Sequence, residues 1–256
     1  DMGEVAFVIL RKAQGLVQIE ELGTLETPIA LTNTMNIGKV HDALVEYMAR
    51  QAEAHGVRLR SVNPIVGECN DSALNEITER VIEKEHVFAA IESAGVDFAL
   101  GDVGAGKGTT CFGLKGGIGS ASRVFEVGKE TYTLGVLVQS NFGEMENLRL
   151  DGKPIGRELA QKLASSEPDK GSIMIVAATD MPVTSRQLQR IIKRAGVGLA
   201  RLGSFWGHGS GDIVIGFSTA QRICSEESSG TIALRALNEE YINIPFSAMA
   251  DATEEA

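Results

Sequence analysis

Lys170-Gly171-Ser172-Ile173-Met174-Ile175-Val176-Ala177-Ala178-Thr179-Asp180 is the stretch on which the reading of this chain turns. Ser172 opens an apolar, β-prone run with the length and composition of a buried strand. It follows Gly171 and a polar, loop-like segment from Leu150 to Lys170 that carries Gly152, Pro154, Ser165, Ser166 and Pro168. Packing alone gives no reason for a serine at the first position of a buried strand, directly after an exposed linker. A chain cut before Ser172 does give one. The new N-terminus would carry a hydroxyl nucleophile and an amine able to act as its base.

Downstream, the pattern is strand, helix, strand. Thr184 and Gln187 have the spacing of a capping box. Leu188, Ile191, Ile192, Ala195, Leu199 and Leu202 mark the buried face of a helix, and Asp212–Phe217 and Thr231–Leu234 read as strands. Upstream, Glu4–Leu10, Leu16–Leu22 and Pro28–Thr34 read as strands. Val40, Leu44, Tyr47, Met48 and Ala52 recur at helical spacing up to Gly56. Asp71 or Ser72 can cap a helix carrying Leu74, Ile77 and Val81, and a short helix is expected over His86–Ala94. After a Gly-rich middle, strands return at Arg123–Val127 and Thr131–Gln139. Strands outnumber helices, and each helix is amphipathic on one face. That pattern predicts sheets covered by helices on their outer faces rather than a bundle.

Composition narrows the function. The chain has 256 residues and a formal net charge of −10, with acidic and basic residues mixed, which argues against nucleic acid or an anionic membrane as the main partner. No apolar run approaches the roughly 20 residues needed to span a bilayer. Cys69, Cys111 and Cys224 are odd in number and lack metal spacing, and His41, His55, His86 and His208 are scattered, so neither metal nor cofactor is expected. The cysteine usage suits a reducing, cytoplasmic setting. The chain runs from Asp1-Met2 almost at once into a strand, and Ala250–Ala256 reads as a helix that begins without finishing. Both ends are therefore expected to be trimmed.

Several shorter segments could carry chemistry. Gly101–Thr109 mimics a phosphate-binding loop, but Gly108 follows Lys107 where a Ser or Thr should reach magnesium. A surface turn explains it as well, as it does Gly116–Gly119. In His208-Gly209-Ser210-Gly211-Asp212 the polar side chains would share one face if extended, yet i, i+2 neighbours seldom have the reach for a relay, and a hydrogen-bonded turn is the alternative. Asn141, at a predicted strand end, is placed either to hold an oxyanion or to make a turn. Glu68, in Pro64–Asp71, is either a receiver for a substrate ammonium or a solvated carboxylate. Phe205-Trp206 is a packing element or a pocket wall.

Leu31–Thr34, the Glu68 segment, Lys115–Arg123, Gly135–Gly143, Gly171–Asp180 and Gly209–Asp212 occur in that order. Together they resemble the DmpA-like family of L-aminopeptidase/D-amidase-esterases and β-peptidyl aminopeptidases, over nearly the whole chain. Lys-Gly-Gly-Ile-Gly-x-Ala-Ser-Arg and the Gly-Ser-strand block are the most specific parts. The resemblance implies an αββα sandwich, two stacked sheets flanked by helices, like the N-terminal-nucleophile (Ntn) hydrolases but with a different connectivity. It implies one self-cleaving hydrolase domain, cut between Gly171 and Ser172 into chains 1–171 and 172–256. Carried over residue by residue, Ser172 is the nucleophile and Asn141 the oxyanion-stabilising amide. Ser210 and Asp212 are the supporting pair, and Glu68 is the receiver of the substrate's free amine. It implies short peptide, amide or ester substrates, a homo-oligomer of αβ units, and no metal. Some relatives have an aromatic residue where Asn70 stands, and relatives carry an N-terminal segment and a longer C-terminus. These departures keep a non-catalytic binding protein on the same fold as the alternative, with nucleotide binding through Gly101–Thr109 as a third.

Overall fold

The computed structural model describes residues 2–8, 13–163, 171–224 and 228–256. In chain order the elements are β1 (Met2–Val8), β2 (Ala13–Gln14), α1 (Leu16–Leu22), β3 (Ile29–Asn33), α2 (Ile37–Ala54), β4 (Ile65–Cys69) and α3 (Lys84–Glu92). There follow β5 (Thr110–Cys111), β6 (Leu114–Lys115), β7 (Gly117–Val127), β8 (Glu130–Asn141) and α4 (Gly156–Leu163). The remainder is β9 (Ser172–Thr179), α5 (Ser185–Ile192), α6 (Ala195–Arg201), β10 (Gly211–Ser218) and α7 (Asn243–Glu255).

The strands form a five-stranded sheet in the order β1-β10-β9-β8-β7, a three-stranded sheet in the order β2-β4-β3, and a small β5-β6 ribbon. Two pairs are parallel, β3 with β4 and β10 with β9. Each needs a crossover, which α2 supplies in the small sheet and α5 with α6 in the large one. Alternation along the strands builds the layers. On β9, Ile173, Ile175 and Ala177 join β8 residues Leu134, Val136 and Val138 and helix residues Leu188, Ile191, Leu199 and Met249 in one core. The opposite face of β9 and β10, with Met174, Ile213 and Ile215, packs on Ile65 and Cys69 of the small sheet. There the fit is close: a Cβ on Gly67 would fall 2.4 Å from Met174 Cε. The outer face of the small sheet, through Val66, is covered by Val40 and Leu44 of α2 and Val87 of α3. Helix, sheet, sheet, helix is thus the order of layers. Each fully buried aliphatic side chain contributes about 1.5–3 kcal/mol to holding it.

Several expected elements differ from this. Leu16–Leu22 is a helix, not a strand: Leu16 and Ile19 bury one face at i, i+3, and Gly15 and Gly23 bound it with left-handed backbone. No α-helix forms over residues 71–83, where one carrying Leu74, Ile77 and Val81 is expected. The Asp71 carboxylate instead accepts from the amides of Asn33 (3.0 Å) and Asn75 (2.8 Å), and only a single 3₁₀ turn, Ile77–Glu79, forms. The expected helix after Thr184 starts with the capping box but divides into α5 and α6. The division lets Gly198 press against the α7 backbone, where a Cβ would lie 2.5 Å from the Ala250 carbonyl oxygen. Thr231–Leu234 makes no strand. Both edges of the large sheet are taken by β1 and β7, and the backbone of Arg235 is held instead by the Gln221 side chain. The first strand covers Met2–Val8. Its predicted end at Ile9-Leu10, and the linker residues Ser165, Ser166, Pro168 and Lys170, lie outside the described residues. No helix among the described residues is long and apolar enough to cross a membrane.

Candidate active site

Three strand ends meet at Ser172. In the large sheet Asn141, the last residue of β8, pairs with Ser172, the first of β9, and Gly211, the first of β10, pairs with Ser172 from the other side. Because side chains alternate along a strand, Ser172 shares the inter-sheet face with Met174, and Asn141 shares it with Gln139. Gln139 shows the direction: its buried amide crosses to the Thr32 carbonyl of the small sheet (3.1 Å) and to that of Ala105 (3.2 Å). Ser172 and Asn141 therefore stand side by side on one face.

The orientation of the Asn141 amide follows from its partner. The Thr110 backbone N–H donates to Asn141 Oδ1 at 3.0 Å. A backbone N–H can only donate, so the oxygen must face Thr110 and Nδ2 becomes the branch directed elsewhere. Asn141 thus offers an N–H donor beside a serine hydroxyl.

Gly171 is fixed by the absence of a side chain. A Cβ there would lie 1.8 Å from the Asn141 carbonyl oxygen and 2.8 Å from Phe142 Cα. Its carbonyl oxygen accepts from the Gly211 N–H at 3.2 Å. The Gly171–Ser172 peptide is therefore gripped from both neighbouring strands.

The Gly209–Asp212 segment resolves into two parts. Gly207 to Ser210 is a turn closed by the Ser210 N–H on the Gly207 carbonyl (2.9 Å), which leaves His208 exposed. No Ser-His-Asp relay forms. The Ser210 hydroxyl donates to Asp212 Oδ1 at 2.7 Å, and both residues are buried. Asp212 lies on the Val214 side of the pleat, opposite to Ser172, while Ser210 adjoins the Gly211 that holds Gly171.

Glu68 is buried in β4 on the Val66 side, the face toward α2, and the Thr34 hydroxyl donates to its carboxylate. Its neighbour Cys69 points the other way. The thiol sits 3.5 Å from the Gln139 carbonyl oxygen and 3.6 Å from that of Ser172, so the residue next to Glu68 touches both β8 and β9. Asn70 accepts from the Ser72 N–H at 2.9 Å and supplies no aromatic surface. Trp206 packs over Gly196 and against the large core, which fits its packing role.

Sequence reasoning gave Cys69 and Lys115 no role at the site. The Lys115 ammonium bonds the carbonyls of Gly106 (2.7 Å), Gly116 (2.7 Å) and Thr109 (3.4 Å). The phosphate-loop lookalike accordingly turns carbonyl oxygens toward a cation, which is the wrong polarity for phosphate. A two-strand ribbon follows it, not a helix. No group of three or more His, Cys, Asp or Glu able to hold a metal occurs among the described residues. A cavity of about 620 Å³ lies beneath α2 and α3 and is lined by Leu31, Leu44, Ile82, Val87 and Asp71. Ser172, Asn141, Ser210, Asp212 and Glu68 are not among its lining residues, and all five are buried. Cavity and reactive groups do not coincide here, and the cavity holds no nucleophile beside an oxyanion donor.

The family model for peptidase family S58 matches residues 10–256. The chain belongs to peptidase family S58. This member is 39% identical over 257 residues to the β-peptidyl aminopeptidase BapA of Sphingosinicella microcystinivorans, covering 94% of this chain. It spans under two thirds of the length of the curated relatives it matches, 64% and 63%. Among solved structures, the PH0078 protein of Pyrococcus horikoshii OT3 is 48% identical with a TM-score of 0.92, over 100% of this chain and 70% of that one. The L-aminopeptidase D-Ala-esterase/amidase of Ochrobactrum anthropi is 33% identical with a TM-score of 0.89, over 100% and 71%. That structure is described as a new variant among the Ntn hydrolase fold, and the S58 chain has the same architecture.

Proposed function

We propose that this S58 chain is a self-processing serine aminopeptidase or amidase acting on short peptides, amides or esters with a free amine. The observation that carries the reading is the juxtaposition of Ser172 and Asn141, with the Gly171–Ser172 peptide held against both. Family membership and the names of the relatives support it.

The chemistry runs in two stages. In the first, Ser172 Oγ adds to the Gly171 carbonyl carbon, the peptide C–N bond breaks, and the hydroxyl proton passes to the departing nitrogen. Water then hydrolyses the ester and leaves chains 1–171 and 172–256. Ser172 is fully buried beforehand, so a shift of the cut end would expose it. In the second stage the hydroxyl proton passes, as Oγ attacks substrate, to the free amine of Ser172, or through Ser210, which accepts it while its own proton moves to the Asp212 carboxylate. An α-amine titrates near pH 8 and is substantially unprotonated at neutral to mildly basic pH. The Asn141 amide steadies the oxyanion, Glu68 receives the substrate ammonium, and water releases the acyl-enzyme. The working form in this reading is a cytoplasmic homo-oligomer of αβ units.

Mass spectrometry of the purified protein, with Ser172→Ala beside it, tests this. Two fragments, the smaller starting at Ser172, and loss of both cleavage and aminoacyl p-nitroanilide hydrolysis in the variant are expected. Full hydrolysis by Ser172→Ala would sink the assignment, and a single intact, inactive natural chain would favour a binding protein on the same fold.

A further inference from the structure

We infer that Lys115 is a positioning residue for the acyl-transfer step, acting through Thr110 on the Asn141 amide. This rests on the proposed role of Asn141 as oxyanion donor. Nothing in the chemistry of acyl transfer requires a lysine at this place, and Lys115 touches neither Ser172 nor Gly171.

The case is geometric. An ammonium has three N–H donors, and here they meet three backbone carbonyls: Gly106 and Gly116 at 2.7 Å and Thr109 at 3.4 Å. Gly106 and Thr109 belong to the irregular loop before β5, whereas Gly116 leads into β7. One cation thus ties the loop to the large sheet. Lys115 also lies directly across the β5-β6 ribbon from Thr110. Thr110 follows the clamped Thr109, and its N–H is the donor that fixes Asn141 Oδ1. Glycine at 106 and 116 permits the close approach: a Cβ would fall 2.8 Å from the Gly101 oxygen and 2.6 Å from the Ser140 oxygen respectively.

The consequence is specific to an amide. If the Thr110 N–H drifts from Oδ1, nothing holds the carboxamide in one of its two flipped states. The flipped state presents an oxygen to a developing oxyanion, which repels it where Nδ2 would have stabilised it. Lys115 therefore selects a donor over an acceptor at one point in space. Its ion pair with Asp102, at 3.5 Å and with Asp102 largely exposed, is a separate surface contact.

A double-mutant cycle tests this, with Lys115→Met, Asn141→Ala and the pair in the full-length protein, and with rates referred to the processed fraction read by mass. Lys115→Met should lower kcat roughly tenfold or more, bounded by the ~10²–10³-fold loss from removing an oxyanion donor outright, with KM little changed. In the Asn141→Ala background the same substitution should cost under about twofold. Asp102→Asn should behave as the natural enzyme does. If Lys115→Met does not fold, Lys115→Gln enters the same cycle. An unchanged kcat in the single lysine variant, or an equal loss in both backgrounds, overturns the inference while leaving Asn141 in place. An unchanged kcat in Asn141→Ala overturns the role of Asn141 and this inference with it.

Discussion

Replacing Gly171 by alanine asks whether the scissile peptide is held for cleavage or merely located at a loop end. The added methyl would begin 1.8 Å from the Asn141 carbonyl oxygen and 2.7 Å from its carbon. Even a very tight contact needs 3.0 Å, so the two backbones must part by more than 1 Å. Neither partner is the soft end of a side chain. Asn141 is locked by pairing with Ser172, and Gly171 by the Gly211 N–H on its carbonyl. Overpacking of this sort costs about 1–3 kcal/mol of stability, which a folded domain can tolerate. The reaction geometry tolerates it less: a misplacement of about 1 Å can lower a rate by ~10²-fold. Gly171→Ala should therefore fold, with a lowered melting temperature, and process itself on the order of a hundred times more slowly. The assay is a time course of intact and cleaved chain by mass after expression, with circular dichroism to check the fold. Cleavage at the natural rate in a folded variant would show that the grip on Gly171 has nothing to do with processing.

Two other substitutions probe the remaining contacts. Glu68→Gln should reduce kcat/KM on free-amine substrates by an amount equivalent to about 2–5 kcal/mol, the loss expected when a desolvated ammonium is left without its partner. Self-cleavage, which involves no substrate amine, should proceed; unchanged preference between free and N-acetylated substrates would remove Glu68 from the pocket. Asp251 carries a lowered pKa chiefly because Arg201 donates to it, and Glu239 a lowered one through Arg186 and then Gln187. A depressed folded pKa stabilises above the unfolded value, near 4, and that stability fades as pH falls through the folded value. The melting temperature should hold from pH 7 to about 5 and drop below 4, with a shallower drop in Asp251→Asn; parallel curves would refute this.

Much of this was legible in the residues because local signals agreed with tertiary demand. The Gly-Ser-strand run, the Thr184 capping box and the α2 periodicity each name an element that the packing also needs. Leu16–Leu22 misleads because its apolar residues fit a strand as well as a helix, and only the two flanking glycines, with their left-handed backbone, settle the matter. Leu74, Ile77 and Val81 have helical spacing but no core to face, and Leu74 and Val81 are more than half exposed. At the site, Ser172, Asn141, Ser210, Asp212 and Glu68 could be singled out by type and motif. The places of Cys69 and Lys115 at the site could not be read, even though Lys115 opens a specific motif, because their contacts are to main-chain carbonyls brought near by topology. A carbonyl leaves no signature in a sequence.

The order of strands in the large sheet has a bearing on time as well as space. Cutting before Ser172 would assign β9 and β10 to one piece and β1, β7 and β8 to the other. The short piece then occupies the second and third places of five, hemmed by β8 on one side and β1 on the other. Neither product could have laid down that sheet alone, and neither can leave it without unzipping a full ladder. A chain cut there would have to fold whole and be divided afterwards. Such a divided molecule would keep a shape whose instructions for assembly no longer existed in any single strand of polypeptide.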